Sequence, residues 1–471
     1  MKKITTLAFA VAALLAGGAV AGPATELPKE LPPFAPDKPL PVPQIEKKVL
    51  ANGLEVWVVP RDGLPRVDAV LAVRGAGLAA DDANASGFAG LLAGLLSEGT
   101  AKRSSREIAE AAQGLGGSVG AGASADGISV FGNALASRAP EMLALLGEIA
   151  RTPSFPEGEV RLAQANAAQG LKAQEAQPGF KAERALQQAV YGDHAYANTT
   201  LSEGAIAALS PQALKAAHAA RFRPDRALLV IAGRIAPADA FEAAETAFGD
   251  WHATGAAPPL AAGAPRDAKP SYVLIDRPGS VQSAIRLGRP AVAATDADYV
   301  PLQLAGTVLG GSFSSRLMQN LREDKGYTYG ARGGLNAMRA GGRVSASADV
   351  RNEVTGAAIQ EFASELRRMG VEPVPARELD DTKRYVAGGY LINNQMQGAV
   401  AATLANNWLV GLPAEFLGEY VPKIRAVDAA QVQAMGQKYF DPKSMSIVVV
   451  GDPKAVAEQL KPHGTFETRT K

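Results

Sequence analysis

The sequence predicts an α+β fold of two tandem homologous α/β-sandwich-like domains, each with helices packed on one face of a mainly antiparallel sheet. Three observations predict it. First, "RFRPDRALLVIAG" (221–233) aligns with "YFDPKSMSIVVVG" (439–451), so that Phe222, Pro224 and Gly233 fall on Phe440, Pro442 and Gly451. In both, an apolar run follows a proline turn and stops at glycine, the pattern of a buried strand. Second, each half opens alike: "LEVWVVPRDGLPRVDAVLAV" and "YVLIDRPGSVQSAIRLG" both read as strand, Pro/Gly turn, strand. Third, amphipathic helical patterns lie between the opening strands and the returning strand of each half.

Taken in order, Lys2 and Lys3 start a charged region, Leu7 to Leu15 is apolar, and Ala19-Val20-Ala21 is a cleavage site. Residues 1–21 therefore read as a secretory signal. A membrane anchor is the alternative, but the apolar stretch is shorter than the ~20 residues that a span requires, and no later run is long enough. The lysine start, the alanine-rich centre and the lack of a lipobox cysteine point to a soluble periplasmic protein. Residues 22–44 form a proline-rich arm. Residues 45–252 make the first domain. In it "SSRE" at 104–107 is a capping box, and Pro140 opens a helix with Met142, Leu145, Leu146 and Ile149 on one face. Residues 253–271, rich in Pro, Gly and Ala, read as a linker. Residues 272–465 make the second domain, with a helix marked by Val354, Ala358, Ile359, Phe362 and Leu366.

Composition excludes several functions. A formal net charge of +1 gives no bulk attraction to nucleic acid or anionic membrane. Without cysteine there is no disulfide, thiolate nucleophile or Cys-ligated zinc. The four histidines, His194, His218, His252 and His463, never fall within one helical turn of each other.

The most specific stretch is "LGGSFSSRLMQNLREDKGYTYGARGG" (309–334). Ser312 or Ser314 suits a helix N-cap, Leu317, Met318 and Leu321 a buried side, and Gly326 the left-handed closing position. Lys325 suits the negative end of that helix. "YTYGA" then alternates like a strand, with Tyr327, Tyr329 and Ala331 on one face. Arg322 in the last helical turn and Tyr329 on the next strand can thus converge. Left to the residues alone, Arg322 is a solvated helix-end charge and Tyr329 a strand core aromatic; Tyr327 reads as packing.

This stretch resembles the C-terminal domain signature of the M16 (pitrilysin and mitochondrial-processing-peptidase-like) metallopeptidases. The resemblance extends to "LLSEGTAKRSSREIAEAAQGLGGSVGAGASADG", "ARTPSFPEGEV" and "YGDHAYA", in the family's order. It implies the repeated α+β domain already read from the strands. It also implies where the metal motif belongs. Active members carry H-x-x-E-H just before "GT", where two histidines bind Zn²⁺ and the glutamate polarises water. Those positions here are Gly90, Ala93 and Gly94, and the third ligand falls near Gln169-Gly170. No metal site is expected in this chain. The small residues also suggest that backbones pack closely there. Arg322 and Tyr329, by contrast, match the arginine and tyrosine that assist catalysis in the family.

With the periplasmic leader, the resemblance implies an M16 subunit inactive alone, with zinc held by an H-x-x-E-H partner in a heterodimer and unstructured peptides as substrates. The alternative is a non-catalytic binding or assembly subunit; a self-sufficient zinc peptidase is a third reading.

Overall fold

The computed structural model describes residues 42–470. The leader expected at 1–21 and most of the proline-rich arm lie outside the described residues. The described chain builds two six-stranded sheets. The first contains β1 (Glu46–Val49), β2 (Glu55–Pro60), β3 (Arg66–Arg74), β4 (Ser118–Ala123), β5 (Gly127–Leu135) and β6 (Ala227–Gly233), in the order β1-β2-β6-β3-β5-β4. The second contains β7 (Tyr272–Asp276), β8 (Gln282–Ala291), β9 (Ala331–Ala337), β10 (Gly342–Arg351), β11 (Ser446–Gly451) and β12 (Glu467–Arg469), in the order β12-β7-β11-β8-β10-β9. Apart from the outermost strand β1 or β12, the two orders coincide. The repeat seen in sequence is therefore a repeat of topology. In each sheet the returning strand inserts between the two opening strands and runs parallel to the first, with Val58 opposite Ile231 and Leu274 opposite Val449. The remaining pairs are antiparallel, except that β12 also runs parallel to β7.

The first half carries α1 (Phe88–Leu95), α2 (Ser105–Gly114), α3 (Ala139–Arg151), α4 (Glu157–Glu175), α5 (Pro178–Tyr191), α6 (Glu203–Ala208), α7 (Pro211–Arg221) and α8 (Pro237–Phe248). The second carries α9 (Tyr299–Gly306), α10 (Thr355–Val371), α11 (Ala376–Asn393), α12 (Gln397–Leu409), α13 (Phe416–Ala426), α14 (Ala429–Tyr439) and α15 (Pro453–Leu460). α9 runs on into a wide π turn at Thr307–Gly311, and a second π segment spans Met318–Asp324. The capping box forms as its spacing dictates: Ser104 accepts from the Glu107 N–H, and Glu107 reaches back to the Ser104 N–H. Pro140 sits in the first turn of α3, where its missing N–H is no loss.

Strand alternation divides the first sheet's side chains between two cores. Val56, Val58, Val67, Leu71, Leu229 and Ile231 point to one side, against α1, α3 and α8. Trp57, Val59, Val70, Ala72, Leu228 and Val230 point to the other. This is why β6 is apolar at every position. Helices on one face describes each half's own layer. The other face is covered from the opposite half. Val400, Ala401, Leu404, Ala405 and Trp408 of α12 lie on β3 and β6. In return, Ala182, Leu186 and Val190 of α5 lie on β8 and β11, the equivalent strands of the second sheet. Each half thus lends a helix to the other. Burying a leucine or valine fully is worth about 1.5–3 kcal/mol, so several such residues per helix make the exchange a main source of stability.

The exchange is locked at a pair of equivalent hairpin turns. Asp126, between β4 and β5, is buried and accepts from the Tyr196 hydroxyl at 2.5 Å and from the backbone N–H of Arg339, between β9 and β10, at 2.9 Å. The Tyr196 oxygen in turn accepts from the Ala340 N–H at 3.0 Å. Residues 253–271 hold no helix or strand. They are nonetheless fixed along their length: Arg223 donates to the Gly255 carbonyl at 2.9 Å, and the Ala264 N–H donates to Ala340 at 2.7 Å.

Candidate functional site

Two places hold the residues singled out from sequence. The first is α1. Its entry is tightly specified: Gly87 takes a left-handed conformation (φ +89°), and Asp81 accepts from the Ala89 N–H at 3.0 Å while pairing with Arg221 at 2.8 Å. Burial pushes the Asp81 carboxyl above its ordinary range, against the pull of Ala89 and Arg221. Alongside α4, α1 leaves a groove of about 460 Å³ lined by Gly90, Gly94, Leu95, Leu162, Ala167 and Gly170, among others.

Gly90 and Gly94 are exposed, and a Cβ on either would meet nothing within 4 Å; the same is true of Gly170. The expectation that these glycines let backbones pack closely is therefore wrong. They face open space. Ala93 points away from solvent, into the core under the first sheet. The groove's polar lining is Glu98, Glu159, Asn166 and Gln174, with no imidazole or thiolate. Glu98 is already engaged by the Ser105 hydroxyl at 2.6 Å. This donor set does not fit zinc. Among the described residues, no three His, Cys, Asp or Glu side chains gather as metal ligands.

The second place is the segment carrying Arg322 and Tyr329. Leu317, Met318 and Leu321 are buried as expected. The helix start differs: Ser315, not Ser312 or Ser314, opens the turn, its hydroxyl donating to the Ser312 carbonyl at 2.6 Å. The last turns widen to π geometry, and Gly326 closes them in the left-handed region (φ +62°). The expected strand at "YTYGA" also begins later, at Ala331. Thr328 is the reason. Its hydroxyl donates to the Asp349 carbonyl at 2.7 Å and accepts from the Gly330 N–H at 3.1 Å, turning the chain before pairing starts.

The turn pushes Tyr329 outward. It is 94% exposed, which overturns the reading of it as a core aromatic. Arg322 and Tyr329 nevertheless converge, because both line one cavity of about 640 Å³. Tyr327, half-buried, lines it too, together with Gln282, Asp349 and Arg351. The Arg322 guanidinium lies 4.7 Å from the Phe313 ring centre, and its Nε is 3.3 Å from Glu323. Asn320 braces the segment by donating to Glu361 and the buried Glu365 of α10 at 3.0 and 2.8 Å. Glu361 also pairs with Lys325 and holds its ammonium above the ordinary range. Arg351, Gln282 and Asp349 carried no sequence signal, since they reach the cavity only through the pairing of β8 with β10.

The family profile described as "Peptidase M16 inactive domain" matches residues 208–386, and "Insulinase (Peptidase family M16)" matches 65–204. The crystal structure of a peptidase M16 inactive domain from Pseudomonas fluorescens is similar, with TM-score 0.79, 27% identity, and 87% of this chain and 98% of that one covered. A Bacillus subtilis protein named "Uncharacterized zinc protease YmxG" is 25% identical over 84% of this chain and 96% of its own length. A Helicobacter pylori protein named "Non-peptidase homolog YmxG" is 22% identical over 82% of this chain and 88% of its own.

Proposed function

From the premise that the chain belongs to the peptidase M16 family, we propose that it serves as a subunit without its own zinc, lending Arg322 and Tyr329 to an M16 partner that carries H-x-x-E-H. The partner activates water. Arg322 holds the peptide backbone, and the Tyr329 hydroxyl donates to the developing oxyanion. The substrates are unstructured peptides, laid as an added strand along a free sheet edge. β4 and β9 end their sheets and offer such edges. The work takes place in the periplasm, reached through residues 1–21. No described helix is long and apolar enough to cross a membrane.

One observation carries this reading. Tyr329 stands 94% exposed beside Arg322 on a braced turn. A tyrosine kept for packing buries its ring; this one is held out in water as a hydrogen-bond donor. The test mixes this chain with the H-x-x-E-H chain that co-purifies with it from the native periplasm. Peptidase activity is expected to rise far above that of either chain. Tyr329→Phe is expected to lower kcat by about 10²–10³, the usual cost of one oxyanion donor, with assembly intact. Wild-type turnover by the Tyr329→Phe complex rejects the catalytic reading and leaves an assembly subunit.

A further inference from the structure

The Arg322–Tyr329 cavity holds more positive charge than a peptide backbone requires. A backbone carbonyl accepts at most two hydrogen bonds, whereas each guanidinium offers five N–H donors. Two guanidiniums line this cavity, Arg322 and Arg351. Among the described residues the Arg351 side chain has no ion-pair partner; its one hydrogen bond is a long one, 3.4 Å from Nη1 to the Gly326 carbonyl. Arg322 leans on Glu323 at 3.3 Å through Nε alone, with its guanidinium 4.7 Å from the Phe313 ring centre, and lines the cavity. The only carboxylate in the lining, Asp349, is taken by Arg286 at 3.0 Å. Gln282 adds a neutral amide donor, and the Tyr329 hydroxyl adds another. Two like charges facing one space are stabilised by an anion between them, and a guanidinium fork matches a carboxylate in shape.

We propose that this cavity recognises a peptide carboxylate, with Arg351 as the specificity-determining partner of Arg322. The carboxylate is either an acidic side chain or the free C-terminus; both present the same planar pair of oxygens. The inference rests on the reading of Arg322 and Tyr329 as a peptide-handling pair. It goes further, because a pair that only holds backbone has no use for Arg351.

Fluorescence anisotropy with the leader-free chain alone, at low salt, tests it. Three labelled peptides of one sequence are titrated. One has an internal Glu and an amidated C-terminus, one has Gln there and a free C-terminus, and one has Gln and an amidated C-terminus. At least one carboxylate peptide is expected to bind about tenfold tighter than the neutral one, the scale of a charge-assisted hydrogen bond, and which one does so identifies the source. Arg351→Gln is expected to bring that ratio close to one, and Arg351→Lys to keep part of it. Arg351 is exposed at the end of β10, so an unchanged melting temperature shows that the variants fold. The preference is also expected to shrink as salt rises. Equal affinity for all three peptides overturns the proposal while leaving the peptide-handling reading intact. A preference that survives Arg351→Gln overturns it too. No binding of any peptide by the wild type counts against both.

Discussion

Two tyrosines show what a single residue can disclose. Tyr329 is marked by its motif seven residues from Arg322, and the fold sets both in the lining of one cavity. Tyr196 has a structural task no less definite. It is buried, and its hydroxyl both donates to Asp126 and accepts from Ala340. Tyr196→Phe keeps the ring but leaves the Ala340 N–H unpaired and a buried Asp126 oxygen with only the Arg339 guanidinium, 3.9 Å away. It is expected to cost about 1–3 kcal/mol, read as a lower urea midpoint at unchanged slope. A midpoint equal to wild type contradicts this account of the tie. The tie could not be read from sequence, because Asp126 lies 70 residues from Tyr196 and 213 from Arg339. Only the fold brings them together.

Helices show where spacing alone misleads. Gly90 and Gly94 stand four apart, as do Gly306 and Gly310, and spacing alone gives no reason to expect the pairs to pack differently. In α1 the glycines face open groove. In and after α9 they lie on a strand: a Cβ on Gly306 would come 2.9 Å from the Gly334 Cα, and one on Gly310 would come 2.1 Å from the Gly333 nitrogen. Opposite outcomes follow. Gly90→Ala and Gly94→Ala are each expected to stabilise the chain by about 0.5–1 kcal/mol, the helix-propensity gain at a site without strain. Gly306→Ala and Gly310→Ala are expected to destabilise it by about 1–3 kcal/mol through overpacking against β9. Melting temperatures that shift the same way in both pairs exclude this distinction. The strand expected at Tyr327 failed for a related reason. The alternation of Tyr327, Tyr329 and Ala331 did not become one strand face, since Tyr329 is exposed and Ala331 buried: one threonine hydroxyl claimed the backbone first.

For the whole molecule, the repeat was legible in the two returning strands, which read as buried, whereas the cover on the second face of each sheet was not. Which helix covers which sheet was not legible, since an amphipathic pattern does not name its partner. The exchange of α5 and α12 makes the halves interdependent. Chains cut within 253–271 are expected to be insoluble when expressed singly and to co-purify one to one when expressed together. A soluble, cooperatively melting first half alone would show that the lent helix is dispensable. The buried phenols set an alkaline limit. Burial raises the titration of Tyr191, Tyr196, Tyr390 and Tyr420 above the ordinary value of 10.0. Above that pH the unfolded chain releases protons that the folded chain keeps, so stability falls by about 1.4 kcal/mol per pH unit for each such phenol. The urea midpoint is expected to drop steeply from pH 10 to 11 while showing no such loss between 8 and 9; a flat profile rejects this. The reciprocal loan of helices also has a historical reading. Equivalent helices on equivalent strands are what two copies of a half-length ancestor would make by clasping as a swapped dimer before fusion. Such a clasp forbids drift on the faces it covers and permits it elsewhere. The exposed face of α1 lies outside the clasp, so a side chain added at Gly90 or Gly94 loosens nothing that joins the halves.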